Sequence, residues 1–181
     1  MSGVLLWSAL AFAADPMVEM KTSVGDVRIE LYADKAPKSV ANFLQYAKDG
    51  FYNGLVFHRV VDGFIIQGGG FDREFRETKT RAPIENEASN GLKNEIGTLA
   101  MARTSNPNSA TAQFFVNVAN NTSLDFRDPS PQGIGYAVFG KVTQGMDVVM
   151  RIARTATGPG GPFPTGVPQK PVIIESVTLV Q

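Results

Sequence analysis

The sequence contains no cysteine and only one histidine among its 181 residues. Without cysteine the chain has no disulfide framework, no thiolate nucleophile and no cysteine-ligated metal site. Its 17 basic and 17 acidic side chains give a formal net charge of +0, so no long-range field attracts nucleic acid or an anionic membrane. The charge balance therefore predicts no nucleic-acid partner. We also predict no cofactor.

The amino-terminal segment, residues 1–14, has the pattern of an export signal. Its apolar run ends in Ala11, Phe12 and Ala13, the small-x-small form of a signal-peptidase site. The run is too short to span a bilayer, so we expect no stable membrane insertion. If the signal is cleaved, we expect the mature protein to be periplasmic. No lysine or arginine precedes it. Either a basic stretch is missing from the start or the run is an ordinary apolar tail, in which case the protein is cytoplasmic.

Residues 15–181 are long enough for one domain with a sizeable core. A hairpin is predicted over residues 18–31, where apolar and polar residues alternate around a turn. Helices are predicted from Pro37 to just before Gly50 and over residues 144–154. Residues 157–166 are rich in glycine and proline and are predicted to be a loop. The many short strands favour an antiparallel all-β barrel or sandwich.

The stretch from Phe57 to Phe71, FHRVVDGFIIQGGGF, combines an arginine, a histidine and a glutamine with large apolar residues. Strand alternation from residue 55 to 61 predicts that Arg59 shares a face with Phe57 and Val61. An arginine on an apolar surface keeps its charge and offers a rigid fork of donors, which suits a carbonyl oxygen or a planar amide. His58 by itself is typical of a hydrogen-bonded structural residue, because the companions of a metal ligand are absent.

Other residues have simpler structural interpretations. Taken alone, a strand arginine such as Arg59 is most often solvated, so only its motif favours a function. Phe114 is predicted to lie in the core, because alternation turns it away from Phe115. Glu85 and Glu87 lie in a charged loop and are predicted to be solvated.

Three segments together carry a family resemblance. The first segment, residues 57–69, begins with FHRV and contains GF and then QGG. The second is MARTSNPNSATAQFFVNVANNTSLD at 101–125, and the third is YAVFGKV at 136–142. In this order and spacing they resemble the cyclophilins, the peptidyl-prolyl cis-trans isomerases, and the likeness covers essentially residues 17–181. It implies a closed eight-stranded, mainly antiparallel β-barrel with an α-helix covering each end. The substrate would lie in a groove on the outside of the barrel wall.

The resemblance also implies an activity, the acceleration of X-Pro bond rotation during protein folding. That rotation crosses a barrier of about 18 to 20 kcal/mol set by C–N resonance, so a donor aimed at the proline nitrogen would lower it without covalent chemistry. Arg59 would be the catalytic donor, and His58 is not expected to act as a base. The substrate-binding residues implied by the resemblance are Phe64, Ile65, Gln67, Ala102, Arg103, Gln113, Phe115, Leu124 and Tyr136.

Three positions depart from the pattern of better-known eukaryotic members. Ser123 stands where many carry a tryptophan, Arg103 where an asparagine is common, and Tyr136 where a histidine is common. Because an aromatic wall and its indole donor are lost at Ser123, tight binding of cyclosporin is not expected.

The expected partners are proline-containing peptides and unfolded or folding proteins, and the chain is expected to be a monomer. A binding module is the alternative to an enzyme. In that case the groove would hold proline-containing chains as a chaperone or scaffold, without significant turnover. Retention of Arg59 together with Gln67 and Phe115 favours the enzyme, because binding alone would not require the arginine.

Overall fold

The structure is a computed structural model that describes residues 14–180, in which β-strands predominate and two α-helices occur. The predicted export segment lies outside the described residues except for Ala14, and stays a prediction. No helix within residues 14–180 is long and apolar enough to cross a bilayer. The strands are β1 (Met17–Thr22), β2 (Gly25–Leu31), β3 (Arg59–Val61), β4 (Ile65–Gly68), β5 (Thr98–Met101), β6 (Phe114–Asn117), β7 (Val138–Gln144), β8 (Thr157–Gly160), β9 (Phe163–Pro168) and β10 (Ile174–Leu179). The helices are α1 (Pro37–Lys48) and α2 (Met146–Ala153), with 3₁₀ turns at Ala88–Asn90 and Thr122–Leu124.

Eight strands form one curled antiparallel sheet in the order β10-β1-β2-β7-β5-β6-β4-β3. The predicted opening hairpin is confirmed by the pairing of β1 with β2. The sheet is a half-barrel whose edges are β3 and β10. Near these edges Gly54 N donates to Ile174 O at 2.8 Å and Phe57 N donates to Val172 O at 3.0 Å. The predicted closed barrel stays a prediction, because β3 and β10 do not pair as strands in the described chain.

An aromatic cluster fills the concave side of the sheet. The ring centroid of Phe43, from α1, lies 5.2 Å from that of Tyr52, 5.5 Å from that of Phe114 and 5.4 Å from that of Phe139. All four side chains are fully buried, which confirms the prediction that Phe114 belongs to the core. A close-packed interior leaves no room for a ligand, so a binding site must lie on the outer face.

Helix α1 is capped by a carboxylate from a distant loop. Glu87 accepts hydrogen bonds from Lys38 N at 2.9 Å, Ser39 N at 2.8 Å and Ser39 Oγ at 2.7 Å. Glu85 pairs with the Lys38 ammonium group. The prediction of a solvated side chain is therefore wrong for Glu87, because the unpaired N–H groups and positive end of a helix attract a carboxylate. It is confirmed for Glu85, whose side chain is exposed.

The glycine- and proline-rich segment after α2 is a hairpin and not the predicted loop. Strands β8 and β9 pair from Thr157 with Pro168 to Gly160 with Phe163. The turn between them contains Gly161 at φ 50°, a conformation that glycine adopts without strain. Composition alone indicated a loop here, because glycine and proline are depleted from most strands.

The strand that carries Arg59 is shorter than predicted. It begins at Arg59, and the residues before it make only isolated bridges, Leu55 with Asp72 and Val56 with Ile173. Phe57 consequently packs in the main core with Val60, so the predicted common face of Phe57 and Arg59 is wrong. Alternation holds only where the backbone stays in one regular strand.

Candidate active site

A row of side chains crosses the outer face of the half-barrel. In the strand ladder Arg59 lies opposite Gln67, Gln67 opposite Phe115, and Phe115 opposite Ala100. Since successive residues of a strand point to opposite faces, these four share one face. Their neighbours along the chain point into the main core, among them Val60, Ile66, Phe114, Val116 and Leu99.

A cavity of about 210 Å³ opens on this face. Its floor belongs to a small apolar cluster, separate from the main core, that includes Ile65, Ala102 and Phe115. The cavity contains every predicted site residue except Gln113, and is lined by Arg59, Phe64, Ile65, Gln67, Ala102, Arg103, Phe115, Leu124 and Tyr136. Its volume suits one ring or side chain and is below that of the usual drug-sized pocket.

Arg59 lines this cavity and is an exposed residue. The guanidinium carbon is 5.9 Å from the centroid of the Phe64 ring. Within residues 14–180 the side chain takes part in no salt bridge and no hydrogen bond. An arginine that is always charged therefore presents uncommitted donors beside an apolar floor.

Gln67 and Gln113 form a hydrogen-bonded pair next to the cavity. Gln67 Nε2 donates to Gln113 Oε1 at 3.0 Å, so Gln67 contacts Gln113 and is not seen to steady Arg59. An added Cβ at Gly70 would lie 2.5 Å from the Gln113 side chain, which makes a side chain at that position incompatible with this rotamer. Sequence reasoning missed Gly70 as a site residue, although the glycine run was the available signal.

Arg103 and Tyr136 form the far wall. The Arg103 guanidinium carbon lies 4.4 Å from the Tyr136 ring centroid. Arg103 Nε and Nη2 donate to Gly135 O at 3.1 and 2.9 Å, and Nη1 donates to Thr104 O at 2.9 Å. The Tyr136 ring in turn lies edge-on to Phe115, with centroids 5.7 Å apart. Stacking and three hydrogen bonds fix this arginine as a wall.

The backbone of β5 continues into Ala102 and Arg103, which were predicted to bind the residues before the proline. Ala102 N already donates to Gln113 O at 3.0 Å, so that amide is engaged within the protein. A bound chain would therefore pair with the Ala102 carbonyl or the Arg103 amide. The role of these two backbones stays a prediction.

His58 lies behind the site and does not line the cavity. It is 3% exposed, and its ring centroid is 4.7 Å from that of Phe71 and 5.2 Å from that of Phe163. Its Nδ1 has no hydrogen-bond partner in the described chain, so the prediction of a hydrogen-bonded residue is wrong. Burial, with a smaller contribution from the charge of Arg59, lowers the pKa of His58 to about 4, and the ring is neutral at pH 7.

A second cavity of about 270 Å³ adjoins the first and shares three of its residues. It is lined by Gln67, Glu77, Ala102, Arg103, Thr104, Ser109, Thr111 and Gln113. Sequence reasoning missed Glu77 and the three hydroxyl residues, because polar loop residues follow no periodic pattern. Within residues 14–180 no group of three or more His, Cys, Asp or Glu side chains is placed to hold a metal ion.

The comparison with protein families decides the identity. The model described as "Cyclophilin type peptidyl-prolyl cis-trans isomerase/CLD" matches residues 17–179. The chain belongs to this family. It is 57% identical to a peptidyl-prolyl cis-trans isomerase of Acinetobacter baylyi, over 98% of this chain and 92% of the relative. It is 55% identical to peptidyl-prolyl cis-trans isomerase B of Escherichia coli, over 90% of this chain and 99% of the relative.

Solved structures agree with this cyclophilin fold. A cyclophilin type peptidyl-prolyl cis-trans isomerase of Cryptosporidium parvum matches with a TM-score of 0.74 and 26% identity, covering 92% of this chain and 98% of the other. A structure of the same parasite protein in the presence of the dipeptide Ala-Pro matches with a TM-score of 0.72 and 27% identity, covering 91% and 99%. The chain is thus a cyclophilin with peptidyl-prolyl isomerase function and proline-containing peptides as substrates.

Proposed function

We propose that this cyclophilin seats the proline ring on Phe115 within the first cavity and that Arg59 stabilises the twisted amide. The observation that carries the proposal is the uncommitted guanidinium of Arg59 at the edge of an apolar cavity. Phe64, Ile65 and Leu124 complete the seat around the ring. Gln67 and Gln113 are hydrogen-bonded to each other through Gln67 Nε2 and Gln113 Oε1. The Gln67 side-chain carbonyl and the Gln113 side-chain NH₂ group therefore remain available to the peptide backbone.

The chemistry needs no proton transfer. Resonance of the C–N bond sets the barrier of about 18 to 20 kcal/mol, and a catalyst must favour the twisted state over both planar states. A donor at the proline nitrogen occupies the lone pair that resonance uses. Each 1.36 kcal/mol gained only in the twisted state is worth about tenfold in rate, and removing one such preorganised donor typically costs about 10²- to 10³-fold.

The test is the cis-trans exchange rate of an Ala-Ala-Pro-Phe peptide, measured by magnetisation-exchange spectroscopy without a coupling protease. We expect Arg59→Ala to lose about 100-fold in kcat/KM while peptide binding changes little, because the donor acts in the twisted state. Arg28→Ala is the matched control, since Arg28 is a strand arginine on β2 that pairs with Glu19 away from the cavity. Catalysis by Arg59→Ala at the rate of the unmodified protein would refute the role of Arg59.

The same measurement separates an enzyme from a binding module. Peptide binding by the unmodified protein without any acceleration of exchange would favour the chaperone or scaffold alternative. The expected acceleration, lost in Arg59→Ala and kept in Arg28→Ala, would support the enzyme.

In the cell, we propose that the protein is a periplasmic monomer with a closed barrel that assists the folding of exported proteins. The apolar run ending in Ala11, Phe12 and Ala13 supports export. Cell fractionation of the full chain, with mass spectrometry of its mature amino terminus, tests this proposal. We expect cleavage after Ala13 and recovery from the periplasm, and an intact chain in the cytoplasm would contradict it.

A further inference from the structure

The second cavity lies where a peptide must pass if its proline occupies the first. The two cavities share Gln67, Ala102 and Arg103 as a common wall. An extended chain rises about 3.3 Å per residue, and its side chains alternate between two faces. A residue two positions before the proline therefore points toward the same wall as the proline ring, and reaches the second cavity.

Glu77 is held at this cavity by a folded turn. Its backbone forms a bridge with Phe71, and the turn between them is closed by Asp72. Asp72 Oδ1 accepts hydrogen bonds from Glu74 N at 2.9 Å and Arg76 N at 3.0 Å, while Oδ2 accepts one from Arg76 Nε at 2.8 Å. The backbone that carries the Glu77 carboxylate is therefore fixed.

Phe75 anchors the same turn to the hairpin of β8 and β9. It has φ 61°, an uncommon conformation for a residue with a side chain. Its ring centroid lies 6.1 Å from that of Phe163. Such a conformation persists only where surrounding contacts hold it, so the turn is an ordered part of the fold.

The two ionisable side chains of the second cavity differ in their availability. The Arg103 guanidinium is stacked on Tyr136, and each of its three nitrogens donates to a carbonyl of Gly135 or Thr104. The Glu77 carboxylate, by contrast, has no hydrogen-bond or salt-bridge partner within residues 14–180. The group free to form a directed ion pair with a bound peptide is an anion.

We propose that Glu77 determines specificity, so that this cyclophilin prefers substrates with lysine or arginine two residues before the proline. The inference rests on the proposed seating of proline in the first cavity. Long cationic side chains can cross the second cavity and place their charge at the carboxylate, with their stems along its wall. Because Glu77 is solvent-exposed, we expect a preference of about two- to fivefold in kcat/KM over an uncharged residue.

The test uses peptides that end in Pro-Phe, with lysine, norleucine or glutamate placed in turn at each of the three positions before the proline. Their cis-trans exchange rates are measured by magnetisation-exchange spectroscopy. Norleucine keeps the stem of lysine without the charge. We expect the order lysine, norleucine, glutamate at the position two residues before the proline, with the differences shrinking as salt is raised. In Glu77→Gln the order should flatten, and in Glu77→Lys it should reverse.

Glu74→Gln is the matched control, because Glu74 lies in the same turn but pairs with Arg76 and does not line the cavity. It makes the same change of net charge and should keep the lysine preference. A preference that survives in Glu77→Gln, or its absence from the unmodified protein, would overturn the role of Glu77.

These outcomes are distinct from a failure of the proposed function. If every peptide is isomerised equally well, the enzyme stands and the role of Glu77 is rejected. If no peptide is isomerised, the enzyme proposal fails, and fluorescence-anisotropy binding of the same labelled peptides still decides the role of Glu77. Tighter binding of the lysine peptide that is lost in Glu77→Gln would support that role, and equal binding would overturn it.

Discussion

Protonation of His58 should make the stability of this protein depend on pH between about pH 6.5 and pH 4, a window that begins above the range in which most carboxylates titrate. The ring is almost fully buried against Phe71 and Phe163, and its Nδ1 has no hydrogen-bond partner in the described chain. Desolvation and the nearby charge of Arg59 lower its pKa from 6.5 to about 4. The unfolded chain therefore binds a proton at a pH where the folded chain does not.

The sign and the size follow from linkage between protonation and folding. Between about pH 6.5 and pH 4 the unfolded state holds more protons than the native state, so the free energy of unfolding falls as the pH falls. The contribution of the neutral His58 ring to the free energy of unfolding is fully present above about pH 6.5. We expect it to fall by about 2 kcal/mol between pH 7 and pH 5, and by about 3 kcal/mol by pH 4.

Two measurements check this prediction. Because the sequence has a single histidine, its ring proton resonances can be followed without ambiguity in a pH titration of the folded protein. We expect a midpoint near pH 4. Urea unfolding at pH 7 and pH 5 should then show a smaller pH dependence for His58→Phe and His58→Gln than for the unmodified protein, whatever their absolute stability. A midpoint near 6.5, or an equal pH dependence in all three proteins, would refute the reasoning.

Two further substitutions test parts of the structure that the sequence pattern did not reveal. Glu87→Gln should lower the free energy of unfolding by about 1 kcal/mol in urea, because charge-assisted caps of α1 become neutral ones. A loss no larger than that of Glu85→Gln, which breaks only a surface pair with Lys38, would contradict this. Gly70→Ala should lower kcat/KM by about three- to tenfold. The added Cβ would displace the Gln113 side chain, which would then lose its hydrogen bonds with the substrate. If that mechanism is right, Gly70→Ala and Gln113→Ala combined cost little more than either alone in the same exchange assay.

The sequence predicted the first cavity well because two kinds of information agree there. Strand alternation turns Phe114 away from Phe115, and the structure confirms this by placing Phe114 in the main core and Phe115 in the outer apolar cluster. The family motif then identified residues from separate loops, such as Leu124 and Tyr136, which no local period could bring together. These residues do line one cavity.

What the sequence did not predict depends on contacts between distant segments. The cap of α1 comes from Glu87, 48 residues beyond Ser39, and no short-range signal links the two. The packing around the His58 ring includes Phe163, which lies in a hairpin that composition indicated to be a loop. The position of Glu77 likewise depends on the Asp72 turn and its bridge to Phe71. In each case tertiary packing overrides local preference.

The same alternation that builds the site also separates its chemistry from the stability of the fold. Gln67 and Arg59 lie on the outer face, while their neighbours Ile66 and Val60 carry the packing of the core. Arg59 is exposed and has no hydrogen-bond or salt-bridge partner in the described chain, so its replacement should remove a donor without opening a cavity. Phe115 is different, because it is 2% exposed and anchors the outer apolar cluster. A loss of activity in Arg59→Ala is therefore attributable to catalysis, whereas the same loss in Phe115→Ala would mix catalysis with folding.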